Sequence, residues 1–470
     1  MIDYHDLDAQ QRLAFRKKKE IRRKLRALKT EFNSWLSRSS TAESPLAKHH
    51  SQLRAIRSFL RPWSKTVCTL IKEDSAANSD EFLASVSNAQ RLILSEHRIW
   101  EYFRAKFVQR SEPSFKDYLA VADEFAWSCY RPVLEVVYAE SDMKRREPPL
   151  VFFNGGSSPF SLSREKKFQP EIVADEPLSK KAIELSKLPI PVVGIPWNQV
   201  NHLPDAVVIG HEVGHIVEDD FGLTENLQRL LQEAITEAGA ESRKGAWDKW
   251  LGEIFADIYG CLATGPGFAG GLIDFLARAP EDVSLEKKVS KNWGNYPTVY
   301  LRGRLVLETL SQLGFSQEIE SYEKIWKDFK SQMNKGYEKD IPHIVDKLLN
   351  GKSIKSHDAP AANKSIAEIL SFTKENYNDG KDILSRLQQD LGAFGGNIRA
   401  LIAGIRYAFE DDPTEFLRRD YGRTMVTYIN TEVVTPGLRD GELPLTDKQV
   451  AEKTRIYESQ AKEIINDLLN

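Results

Sequence analysis

The sequence predicts a mainly α-helical protein with one small β-sheet in its middle. Apolar residues recur at steps of three and four over most of the chain, the pattern of helices with one buried face. Only two short apolar runs, Leu150 to Phe153 and Ile190 to Ile195, read as strands, and prolines flank both. With 470 residues, 41% apolar and 28% charged, the chain can bury large cores and is not expected to be disordered over long stretches.

The net charge of −3 gives no overall electrostatic case for a nucleic-acid or membrane partner. Cys68, Cys129 and Cys261 are widely separated, odd in number and not in C-x-x-C spacing, so neither a disulfide framework nor a thiolate metal site is expected. That fits a reducing cytosol. The first residues form no apolar signal core, and no apolar run approaches the roughly 18 residues of a membrane span. The expectation is a soluble, cytoplasmic protein with no membrane partner.

Residues 8–38 read as one long basic helix, with Ile21, Leu25, Leu28, Phe32 and Trp35 on its apolar face. Its charged face is either a contact for nucleic acid or another anionic surface, or the solvated side of a docking helix. After the Ser-rich break at Ser37 to Ser44, helical patterns run through 50–73, 80–109 and 114–140. His49, His50 and His97 have no ligand-like spacing. The charged, Pro-containing run Lys144 to Pro149 marks a boundary, which gives an N-terminal helical region over 1–145.

The Asn154 to Ser158 turn after the first strand lacks the Lys-Ser/Thr and the helix of a phosphate loop. The second strand leads through Trp197 and the loop Asn198 to Leu203 towards a helix beginning near Pro204-Asp205. It reads either as an edge along which an extended peptide could pair or as plain structural sheet. Further helices are expected at 225–239, 297–314, 316–335, 338–350, 364–376, 379–410, 413–430 and 445–469, with a loop over Gly351 to Lys364. Residues 146–315 then form a central core and 316–470 a C-terminal helical region.

The chemistry concentrates in residues 205–260. His211-Glu212-Val213-Gly214-His215 is an H-E-x-x-H run with an apolar lead-in, Ala206 to Ile209. Residues four apart share a helix face, so both imidazoles can grip one Zn2+ ion. Glu212, about 100° round the helix, can reach water beside the metal as a general base. Gly210 and Gly214 share a face that allows another element to pack close behind the histidines. Two ligands leave zinc under-coordinated. The metzincin positions hold Glu218 and Phe221, so that pattern is absent. Downstream, Glu253-Ile254-Phe255-Ala256-Asp257 sits on a second amphipathic helix and puts two carboxylates on one face; either can be the third ligand.

HEVGH followed by EIFAD resembles the gluzincin, or thermolysin-like, metallopeptidases over about 60 residues. The resemblance implies a zincin-like catalytic core, a hydrolase that cuts peptide bonds, and a protein or peptide as substrate. It implies Glu253 as the third zinc ligand and Asp257 as the residue that hydrogen-bonds a ligand histidine. The connection between the motifs is longer than is usual in that group, which leaves the subfamily open. Such enzymes often stabilise the oxyanion with a later Tyr or His. Here Tyr296 is the first candidate and Arg302 the second, within a run that also holds Tyr300 and Arg304; His202 is a weaker alternative. Two other functions fit the same residues: a zinc-stabilised scaffold that binds through its basic N-terminal helix, and a zinc hydrolase of a non-peptide amide or ester.

Overall fold

A computed structural model describes the chain apart from residues 1–4, 6, 7, 72–78, 139–145, 165–187, 278–287, 290, 291, 328–334, 356–362, 393, 436, 440 and 470. The first part of the expected linker at 144–149, the middle of the expected loop at 351–364 and the C-terminal end of the expected helix at 316–335 therefore lie outside the described residues.

The fold is mainly α with one small three-stranded sheet. Four helices come first: α1 (Ala9–Ser39), α2 (His50–Leu70), α3 (Ser79–Val108) and α4 (Lys116–Val137). Strands β1 (Leu150–Asn154), β2 (Phe160–Leu162) and β3 (Val192–Pro196) follow, then α5 (Val208–Asp220), α6 (Thr224–Glu237), α7 (Lys244–Thr264) and α8 (Pro266–Leu276). A short hairpin, β4 (Lys288–Val289) and β5 (Asn292–Trp293), leads to α9 (Val299–Gln312). The remainder is α10 (Glu320–Lys327), α11 (Lys335–Asn350), α12 (Ile366–Ile369), α13 (Lys374–Gln388), α14 (Ile398–Asp411), α15 (Pro413–Arg418), α16 (Tyr421–Tyr428) and α17 (Asp447–Leu469).

The sheet separates two apolar cores. Val151 and Phe153 of β1, with Val193 and Ile195 of β3, face a core built from α4 to α9 and the helices up to α16. Leu150, Phe152 and Val192 face the opposite way, into a core of α1, α2, α3 and α17. Side chains alternate along a strand, so a sheet covered on both faces reads as a continuous apolar run. The cores do not follow chain order: α4 joins the core of the H-E-x-x-H helix, and α17 packs against α2.

The strand order is β1-β3-β2, with β1 parallel and β2 antiparallel to β3. This corrects one expectation: the second apolar strand is paired on both sides, so it is not an edge. The edge nearest the site is β2, whose three residues are too short to give a period-two pattern. Three of the expected C-terminal helices are also divided; the run 364–376 is broken over residues 370–373, between α12 and α13. The run 379–410 is not one helix. Helix α13 begins earlier, capped by Thr373, and the chain breaks at Asp390 and Gly396, both at positive φ, before Asn397 caps α14. Likewise Asp420, at φ 52°, splits 413–430 into α15 and α16.

One carboxyl is buried at odds with its chemistry. Glu96 of α3 is 3% exposed and accepts a hydrogen bond at 2.6 Å from Ser64 of α2, while its Oε2 has no partner among the described residues. Burial pushes its pKa up to about 8, against the Ser64 hydrogen bond, which lowers it. Between about 4.5 and 8 the folded chain keeps this proton while the unfolded chain has lost it, so stability falls as pH rises through that window. Urea unfolding at pH 5 and pH 8 checks this. Glu96→Gln should match the native protein at pH 5 and exceed it at pH 8 by on the order of 3 kcal/mol.

Candidate metal centre

Two helices that touch almost backbone to backbone create the site. Helix α5 carries His211, Glu212 and His215; α7 carries Glu253 and Asp257. A Cβ added to Gly210 would lie 2.8 Å from the Ala263 Cβ, and one added to Gly214 would lie 2.8 Å from the Tyr259 Cβ and 3.0 Å from the Ala256 Cα. Glycine at these two positions is what allows the close approach. Helix α6 and a short helical turn fill the long connection without displacing either helix.

The approach brings three ligand-type side chains together. His211 Nε2 lies 3.6 Å from Glu253 Oε2, and His215 Nε2 lies 3.4 Å from Glu253 Oε1. The two imidazoles meet edge to face with centroids 4.8 Å apart. Among the described residues, this is the only group of His, Cys, Asp or Glu with geometry suited to a metal ion. Ligand atoms at about 2.05 Å around a tetrahedral zinc stand roughly 3.3 Å apart, close to these spacings. Glu253 Oε2 is buried and accepts no hydrogen bond among the described residues, which suits an atom that binds a cation. The donor set fits zinc.

Asp257, 1% exposed, supports that cluster from behind. Its Oδ1 lies 2.9 Å from His211 Nδ1, on the ring edge away from the Nε2 that faces Glu253. Arg302 in the first turn of α9 donates to both Asp257 oxygens, from Nε at 2.8 Å and Nη2 at 2.7 Å. Its Nη2 also lies 3.6 Å from Glu253. Burial would raise the Asp257 carboxyl, but Arg302 overrides it and brings the pKa down to about 2. Burial also opposes the charged form of His211, yet Asp257 leaves its pKa raised. Glu253 is held low despite burial, chiefly by His215 and then His211.

A cavity of about 200 Å³ opens onto the cluster. Glu212, Tyr296 and Arg302 line it with the three ligand-type residues. Trp250 of α7 donates from Nε1 to the Gly294 carbonyl at 3.1 Å, pinning the loop that carries the half-exposed Tyr296. The facing Glu253 carboxylate, then burial, raises the Tyr296 pKa, so the phenol keeps its proton. Of the neighbouring candidates, Tyr300 is buried under Trp326, whose indole donates to the Tyr300 carbonyl. Arg304 stands 4.0 Å from Glu323, and His202 stands 3.5 Å from Asp205; none of the three lines the cavity.

Two walls escaped the sequence reading. Ser158 to Ser161, including the start of β2, form one; Phe268, Leu272 and Phe275 of α8 form another, with Val208. The Gly265-Pro266 pair was the available signal for α8, since Gly ends a helix and Pro suits the first turn of the next. A larger cavity of about 510 Å³ between α4 and the segment leading into α17 holds no comparable cluster, so chemistry rather than size selects the site. No family model, curated protein or solved structure matches the chain.

The tight contact of α5 and α7 gives a direct expectation. Gly214→Ala forces the helices apart against backbone atoms. It should lower stability by about 1–3 kcal/mol and weaken zinc binding at least tenfold. Thermal unfolding with and without zinc, together with titration against a competing chelator, measures both.

Proposed function

We propose that the protein is a zinc-dependent peptidase of gluzincin type, with His211, His215 and Glu253 as zinc ligands and Glu212 as general base. The observation that carries this reading is the convergence of both imidazole Nε2 atoms on the Glu253 carboxylate, beside a cavity that Glu212 lines. A structural zinc site has no need of a carboxylic base in an open cavity, which counts against the scaffold reading.

A zinc ion held by these three residues would supply Lewis acidity, polarising a carbonyl oxygen and making water a stronger acid. Glu212 takes the proton from the attacking water and returns it to the leaving nitrogen. Tyr296, protonated and facing the cluster, donates to the oxygen on which negative charge develops. Arg302 acts through Asp257: two of its nitrogens hold that carboxylate, which in turn holds His211. It is therefore a positioning residue in this scheme.

A peptide fits the surroundings better than a compact amide or ester. Strand β2 borders the cavity, and its outer edge has no strand partner among the described residues. An extended backbone laid along it would gain ladder hydrogen bonds. Phe268, Leu272 and Phe275 on the opposite wall favour an apolar side chain next to the scissile bond. The three cysteines are free, which supports a reducing compartment such as the cytoplasm. Among the described residues no helix is long and apolar enough to cross a membrane.

Two substitutions test the roles. Glu212→Gln should keep one zinc per chain and lose cleavage of a mixed peptide library by roughly 10²–10⁴-fold. Full activity in that variant, or a chain that takes up no zinc, would overturn the proposal; hydrolysis of small amides or esters without any peptide cleavage would move the substrate class. Tyr296→Phe should lower kcat by about 10²-fold with little change in KM, measured on whichever peptide the library identifies.

A further inference from the structure

A strongly basic surface lies away from the cavity, on helix α1. Residues 12–29 contain ten Arg and Lys and a single acid, Glu20, a net +9 in a chain of net −3. The remainder of the protein therefore carries −12. Overall charge conceals this asymmetry.

Helix α1 sorts these charges by face. At about 100° per residue, the buried Ile21, Leu25, Leu28, Phe32 and Trp35 fall on one side. Arg12, Lys19, Arg23 and Arg26 fall on the opposite side, with Arg22 and Lys29 on one flank beside them, and no acid lies among them. Glu20 lies on the other flank and pairs with Lys17 at 3.3 Å and Lys24 at 2.6 Å. Glu31 lies on the same flank and faces Arg104 at 3.7 Å. Arg22, Arg23, Arg26 and Lys29 are exposed, and no acid among the described residues pairs with them. The two acids that dilute the basic run in sequence thus do not neutralise its outer face. From Arg12 to Lys29 the stripe spans about 26 Å on a rigid, anchored helix.

We infer that this stripe binds the phosphodiester backbone of a nucleic-acid duplex without reading its sequence. Charge complementarity supports a polyanion, and rigidity supports one with a regular, closely spaced line of phosphates. A lipid surface is a poorer fit. A helix lying on a bilayer inserts its apolar face, whereas the apolar face of α1 is committed to α2 and α3. On the outer face only Phe15 offers a large apolar side chain, and the Lys19 ammonium lies 5.1 Å from its ring centroid. The stripe carries no base-reading groups beyond Arg and Lys, so backbone attraction is the expected mode.

The test uses the full chain and a fluorescent mixed-sequence DNA duplex, with vesicles of anionic phospholipid in parallel. The native protein should bind the duplex at 50 mM salt. Affinity should fall as salt rises, with a log–log slope of about −4 for some four phosphates neutralised. The quadruple variant R22E/R23E/R26E/K29E should lose at least tenfold in affinity while keeping its Tm, because all four side chains are exposed. R22Q/R23Q/R26Q/K29Q should fall in between. No duplex binding at 50 mM salt, binding that survives the charge reversal, or vesicle binding stronger than duplex binding would each overturn the inference.

Discussion

The structure depends on one contact: the glycine face of α5 against the backbone of α7. Without side chains at Gly210 and Gly214, the two helices settle close enough for Glu253 to reach both histidines. The candidate metal cluster depends on that distance. A third ligand even one methyl radius farther out would leave two imidazoles that cannot complete a zinc site. The contact also places Asp257 behind His211, where one carboxylate accepts from a guanidinium and stands beside an imidazole at once. Burying Asp257 is costly by itself; Arg302 offsets that cost and locks the geometry in place.

The two cores serve this arrangement differently. Helices α4 to α9 and their C-terminal neighbours surround the site directly, and the buried Trp247 and Trp250 anchor the N-terminal turns of α7, Trp247 by a hydrogen bond to Asp340 of α11. The second core holds α1 on the far side of the sheet and turns its basic face outward. Chain order does not separate these roles, since α17 returns to brace the N-terminal helices. A cavity wall and a charged exterior are thus built by different layers of one body.

Much of the site was legible because helix periodicity and ligand spacing are local. His211, Glu212 and His215 lie on one short stretch of helix, and Glu253 with Asp257 on another, so residue type and register bring them forward as candidates before any packing is known, while the separate roles of Glu253 and Asp257 come from the resemblance. What sequence could not supply was partnership across elements. Arg302 reads as a candidate donor to substrate, yet the fold turns it onto Asp257, a choice fixed only by how α9 crosses α7. The edge strand was misplaced for a related reason. The apolar run Ile190 to Ile195 looks more like a strand than Phe160 to Leu162 because it is buried on both faces, and that burial is what makes it central. In the C-terminal half, the apolar pattern carried across Asp390 and Gly396, where backbone conformation, not hydrophobicity, ends the helix. The basic helix was visible as a composition, but whether its acids neutralise it depends on which flank Glu20 and Glu31 occupy.

Metal coordination is the most direct test of this account, and X-ray absorption at the zinc edge on the purified, zinc-loaded protein measures it. The expected result is one zinc with two imidazole nitrogens and carboxylate or water oxygens at about 2.0–2.2 Å. A sulfur shell near 2.3 Å, a single imidazole, or zinc bound at less than one equivalent would contradict it.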